Sequence, residues 1–169
     1  MSAEEDSPQP VSEPTSPQPR SVVGLRPAAA DLPQPRLTDG LRLAAPKVGL
    51  TVTHRRYVPH SDAHYGGNLV EGAYALGLFG DVATELAIRI DGDESLLAGY
   101  DSIEMLAPLQ AGDIVEASAT LTRVGRRSRA IAFEARVVCR SAPERGPSAA
   151  DVLDPPIVIT RATGTVVVP

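Results

Sequence analysis

The chain has 169 residues, a formal net charge of −5 and 43% hydrophobic residues, enough for one globular domain of ordinary size and not for two. The mildly acidic balance gives no broad positive field for a phosphate backbone, which speaks against nucleic acid as a partner. Cys139 is the single cysteine and there are three histidines, so neither a disulfide framework nor a structural zinc cage is expected to hold the fold.

The N-terminus opens MSAEED and shows no basic stretch followed by an apolar one, so no secretory leader is expected. No apolar run reaches the roughly 18 residues that a membrane span needs; the expectation is a soluble, cytoplasmic protein with no membrane partner. Nine of the sixteen prolines precede residue 47, while all six aromatics follow residue 56. Ser-Pro-Gln-Pro occurs at Ser7–Pro10 and Ser16–Pro19, and Leu-Pro-Gln-Pro at Leu32–Pro35. Such a composition cannot offset its ordering entropy, so residues 1–46 are expected to form a disordered, Pro-rich arm and residues 47–169 the folded domain.

From Lys47 the alternation Val48, Leu50, Val52, His54 reads as a half-buried strand running to Tyr57. Pro59 to Asn68 follows, rich in turn formers and in polar side chains. Its His60, Asp62 and His64 could place three metal ligands on one side of an extended segment, or serve as ordinary turn and capping residues. Leu69 to Ile90 is about six turns long and apolar on most faces, the pattern of a buried helix lying against a sheet. Gly72, Gly77 and Gly80 within it suggest close approach of a neighbouring backbone. Asp81 and Glu85 lie one helical turn apart, either a carboxylate pair or a polar stripe, and Asp91-Gly92-Asp93 ends the helix as a turn.

Leu96–Leu106, Ile114–Val124, Ser128–Cys139 and Ile157–Val168 read as strands, with a short hairpin connection at Gly125-Arg126-Arg127 and a surface loop over 141–156. Strand, long helix, then four strands implies an α+β fold in which an antiparallel sheet wraps one long central helix.

That order is similar to the hotdog arrangement. His64-Tyr65-Gly66-Gly67-Asn68-Leu69-Val70, Leu78 to Leu86 and Tyr100 to Pro108 resemble the acyl-CoA ammonia lyases of the hotdog superfamily, which act on 3-aminobutyryl-CoA or β-alanyl-CoA. The resemblance continues through Ala111-Gly112-Asp113, Val124-Gly125-x-x-Ser128-Arg129 and Phe133-Glu134-Ala135. A wider likeness exists to hotdog acyl-CoA thioesterases, many of which carry a catalytic carboxylate seven residues after the second glycine; here that position is Tyr74. Where those thioesterases often place Thr or Ser before a Leu/Phe-x-x-Pro turn, this chain has Glu104.

The resemblance implies a C–N lyase that reversibly eliminates ammonia from a short 3-aminoacyl-CoA. No cofactor is implied, coenzyme A entering as part of the substrate, and protomers are expected to pair as homodimers or dimer-based oligomers with shared sites. The reaction needs a base for the proton alpha to the thioester, and the swap of carboxylate positions suggests Glu104. Asp62 or Glu104 is expected to pair with the substrate ammonium, with His64 beside them as a further catalytic candidate. Backbone N–H groups of a Gly66-Gly67 turn opening the helix would hold the thioester oxygen, with His64, Tyr65 and Asn68 orienting the acyl group; Asn68 could instead cap the helix. Arg123, Arg126, Arg127 and Arg129 offer guanidinium groups to the phosphates of coenzyme A. The alternatives are an acyl-CoA thioesterase with Glu104, Asp81 or Glu71 as base, and a non-catalytic acyl-CoA or acyl-carrier binding module.

Overall fold

A computed structural model describes residues 48–169; the Pro-rich segment, and with it the expected domain boundary, lies outside the described residues. Seven strands and one long helix follow in chain order: β1 (Thr51–Tyr57), β2 (Ala63–Tyr65), β3 (Leu69–Val70), α1 (Ala73–Asp91), β4 (Leu96–Met105), β5 (Ile114–Val124), β6 (Ser128–Ser141) and β7 (Ala150–Val167). Five strands form one antiparallel sheet in the order β1-β5-β6-β7-β4, and β2 pairs with β3 in a small second sheet. This is the expected α+β arrangement, with α1 packed against the inner face of the large sheet.

The helix buries Ala75, Leu78, Phe79, Val82, Ala83, Leu86, Ala87 and Ile90, a stripe at spacings of three and four that puts every apolar knob on one face. Phe79 stacks on Phe133 of β6, ring centroids 5.1 Å apart, and Tyr100 of β4 meets Phe133 edge-on at 5.8 Å. The expectation of a helix buried all round is corrected, because Ala73, Gly77, Asp81, Thr84 and Ile88 form an exposed face. Gly77 and Gly80 meet no neighbouring atom within 4 Å of where a Cβ would stand, so no backbone of this chain approaches them.

The helix also begins later than expected. Leu69 and Val70 pair as β3 with Ala63 and Tyr65, and Val70 donates its N–H to Leu109 O at 3.0 Å. These bonds hold the segment extended, and α1 starts only after Gly72. At the other end Gly92 takes φ 70° and returns its N–H to Ile88 O at 2.9 Å, the left-handed cap that glycine accepts without a Cβ clash.

Pairing also extends further than expected between β6 and β7. Cys139, Arg140 and Ser141 face Val152, Asp151 and Ala150, so the expected 141–156 loop is reduced to residues 142–149. Of β1, Val52 alone is a buried apolar residue, with Val48 and Leu50 exposed, because β1 is a sheet edge that α1 covers along part of its length.

Candidate active site

A mostly apolar recess of about 410 Å³ lies at the N-terminal end of α1. Its wall is built from Tyr65, Glu71, Gly72, Met105, Leu109 and Thr160, among others. Two local structures hold this wall. Asn68 O accepts from Ala111 N at 2.8 Å, which docks the residues before β3 onto the loop after β4. Asp113, fully buried, accepts both a bidentate grip from Arg140 at 3.0 and 2.7 Å and the Gln110 N–H at 3.0 Å, while Arg140 reaches Pro108 O at 3.0 Å. The Leu106–Asp113 loop is therefore pinned by a saturated buried charge pair. Gly112, at φ 92°, completes it, since a Cβ there would stand 2.7 Å from Ser141 Oγ.

Gly72 sits at the helix N-cap, and a Cβ added to it would press on Met105 at 3.4 Å. The start of α1 therefore lies beside the recess at a position with no side chain, with the Tyr74 N–H already bonded to Glu71 O at 3.1 Å. The glycine turn expected to open the helix does not open it. Gly66, Gly67 and Asn68 form a separate, exposed 3-10 turn that precedes β3, and Gly67 and Asn68 there have φ 71° and 60°. Asn68 caps no helix; α1 has no side-chain cap.

The expected catalytic residues do not converge within one chain. Glu104 pairs in register with Arg161, and Arg161 with Glu134 and its ion-pair contact at 3.0 Å. These residues share the outer sheet face, opposite α1, around a second recess of about 460 Å³ with Ser102, Thr120 and Thr163. Met105, the next residue, points the other way into the first recess, as strand alternation requires. The carboxylate that lines the first recess is Glu71, which the sequence offers only as a possible base of the alternative thioesterase.

His64, exposed, meets Tyr65 edge-on with centroids 4.5 Å apart, and Tyr65 lines the recess. Asp62 is half-buried and faces Tyr74 of α1. His60 turns to a third recess of about 320 Å³ with Tyr57, Gly112, Cys139 and Ser141. The three side chains of the His60–His64 segment therefore face different surroundings.

Tyr74 carries an unusual burden. Its hydroxyl is buried and has the Asp62 carboxylate beside it, at the margin of hydrogen-bond contact. Burial pushes the phenol above its ordinary pKa; the Arg56 guanidinium, 5.8 Å over the ring, opposes this, and the neighbouring Asp62 carboxylate adds to it.

The expected coenzyme A arginines also divide. Arg129 is buried, grips Asp91 at 3.0 and 2.5 Å, and gives both Nη1 donors to Gly125 O at 2.8 Å and Ser128 O at 2.9 Å. It clamps the last turn of α1 to the β5–β6 hairpin, with four of its five N–H donors engaged. Arg123 and Arg126 are exposed and make no ion pair among the described residues, and Arg127 donates only to Val168 O at 3.3 Å. Because Arg129 ties this hairpin to the end of α1, these arginines stand a helix length, about 28 Å at 1.5 Å per residue, from the first recess of the same chain.

Comparison with known proteins places this geometry. No family model matches the chain. In solved structures the fold is similar to the β-alanyl-CoA:ammonia lyase from Clostridium propionicum, with a TM-score of 0.68, 39% identity, 72% of this chain and 87% of that one covered. It is also similar, at 19% identity and a TM-score of 0.57 over 72% and 87% of the chains, to a hexameric thioesterase from Yersinia pestis; that likeness concerns the fold. Together they define a hotdog-fold protein. A curated relative, the 3-aminobutyryl-CoA ammonia lyase of Acetoanaerobium sticklandii, is 55% identical over 108 residues, 64% of this chain and 86% of that protein. The chain belongs to the acyl-CoA ammonia lyase family and is an enzyme.

Proposed function

We propose that the protein reversibly eliminates ammonia from a short 3-aminoacyl-CoA, 3-aminobutyryl-CoA or β-alanyl-CoA, giving the enoyl-CoA. The observation that carries this reading is 55% identity to a lyase named for that substrate over 86% of its length. A small, largely apolar recess at a helix N-terminus supports it, being matched to a short acyl chain ending in a polarised thioester.

In the mechanism, the thioester oxygen lies at the first-turn N–H groups of Gly72 and Ala73, which stabilise enolate charge as it develops. Glu71 takes the proton from the carbon alpha to the thioester. The electron pair of the breaking C–N bond leaves with nitrogen as ammonia, and the proton held by Glu71 passes to it, giving ammonium. Tyr65, steadied by His64, closes the recess. No cofactor enters; coenzyme A is carried by the substrate.

The assembly is a homodimer or a multiple of it, formed through the open edge of β4 and the exposed face of α1. Antiparallel pairing of two β4 strands sets the Leu96 end of one beside the Met105 end of the other. The hairpin bearing Arg126 and Arg127 then comes from the second copy to the phosphates of coenzyme A.

The test is turnover of crotonyl-CoA and acryloyl-CoA with an ammonium salt at mildly alkaline pH, with product identified by mass. Aminoacyl-CoA is the expected product, and free coenzyme A without amine addition would make the protein a thioesterase. Glu71→Gln is expected to lose about a hundredfold in kcat, typical of removing a general base, with Glu104→Gln little changed. The reverse result would return the base to Glu104 and the outer face.

A further inference from the structure

The buried charged groups of this fold are paired. Arg129 and Asp91 grip each other, as do Arg140 and Asp113, and Glu116 lies between Arg55 and Arg136. Beside the first turn of α1, half-buried Asp62 makes no ion pair among the described residues; it accepts a long 3.3 Å bond from Ser61 and lies against the Tyr74 hydroxyl. Arg56 makes no ion pair among them either, and its guanidinium rests on the face of Tyr74. The Tyr74 hydroxyl is buried, and its contact with Asp62 is marginal.

A buried hydroxyl with only a marginal partner weakens a fold by leaving a desolvated polar group short of hydrogen bonds. The three groups, gathered two residues from the glycine that lines the main recess, keep hydrogen-bonding capacity that a small ligand can use. The ligand must donate to a carboxylate and engage a phenol, and it must be small, because the hydroxyl is already enclosed.

We propose that Asp62 and Tyr74 form the amine subsite of the enzyme, with Arg56 as the positioning residue that fixes the Tyr74 ring. This rests on the lyase reading above. Asp62 accepts N–H bonds from the substrate ammonium. As ammonia is released, the Tyr74 O–H donates to the lone pair left on nitrogen. Arg56 balances the charge of Asp62 and holds the ring by cation–π contact. The phenol, kept protonated by its burial, serves as a donor and moves no proton of its own.

The test uses the full chain in the direction of amine addition, with ammonium chloride and crotonyl-CoA varied separately, alongside thermal unfolding. Tyr74→Phe removes only the hydroxyl. The subsite predicts an increase of about tenfold in the KM for ammonium, one hydrogen bond's worth, with the KM for crotonyl-CoA little changed and Tm equal to or above the parent. Asp62→Asn is expected to move the ammonium KM in the same direction. A Tyr74→Phe protein with unchanged ammonium KM, or with a lowered Tm, makes the hydroxyl structural and overturns the proposal. If the parent adds no amine to any enoyl-CoA, the lyase reading fails and the subsite with it; an active parent with an indifferent Tyr74→Phe overturns the subsite alone.

Discussion

At the β5–β6 turn, Arg129 buries its guanidinium against Asp91 while Arg126, three positions earlier, extends into solvent. Removing Arg129 leaves a largely buried carboxylate with no counter-charge, so Arg129→Ala is expected to cost about 3 kcal/mol of stability, read as a urea midpoint shift. Arg126→Ala should change that midpoint by less than about 0.5 kcal/mol and act instead on the KM for acyl-CoA. Equal destabilisation by both would contradict the division. Glu116 carries a second residue-scale consequence. Burial would raise its pKa, but hydrogen bonds from Arg55 and Arg136 outweigh that and hold it below its ordinary 4.5. The native state therefore binds fewer protons than the unfolded chain as pH falls through that range. This contribution is complete above about 4.5 and lost as pH falls through the lowered value. Glu116→Gln should accordingly lose less stability between pH 7 and pH 3.5 than the parent; an identical loss would remove the assignment.

At the scale of elements, α1 owes its length to its ends. Gly92 in the left-handed cap tolerates no Cβ cheaply, and Gly92→Ala should cost about 1 kcal/mol in thermal or urea unfolding. A neutral result would mean that the cap relaxes. The end of α1 was legible because Asp91-Gly92-Asp93 states its own turn chemistry. Its start was not, because Leu69 and Val70 continue the apolar pattern of the helix, and only their bonds to β2 and Leu109, distant in sequence, hold them extended. For the same reason the helix start was expected at the Gly66-Gly67 turn, where the chain forms a separate 3-10 turn instead. Strands β5 and β6 were legible because their two faces meet different surroundings. The outward turn of Glu104 was not read, since its paired Arg161 lies 57 positions further along the chain. Nor could spacing show that Tyr74 meets Asp62 and Arg56, which three separate elements bring together.

At the scale of the molecule, two open features stand out among the described residues. β4 is a sheet edge whose Ile103 and Met105 are exposed, by 42% and 54%, and an unpaired edge of that length invites another strand. The exposed face of α1 carries Gly77, small enough for a second helix to approach closely. Under the proposed dimer, Ile103→Lys and Gly77→Leu are each expected to shift sedimentation towards the monomer and to lower turnover. A fully active monomer would defeat that arrangement. Among the described residues no helix is long and apolar enough to cross a membrane.

The central claim is that a carboxylate at the N-terminal recess of α1 works on the carbon alpha to a thioester. The most direct measurement is the mass of the product formed from crotonyl-CoA and ammonium in D2O, for the parent and for Glu71→Gln. One deuterium on the alpha carbon is expected for each amine added, and almost no product from the variant. Free coenzyme A without an aminated, deuterated product, or an unimpaired Glu71→Gln enzyme, would contradict it.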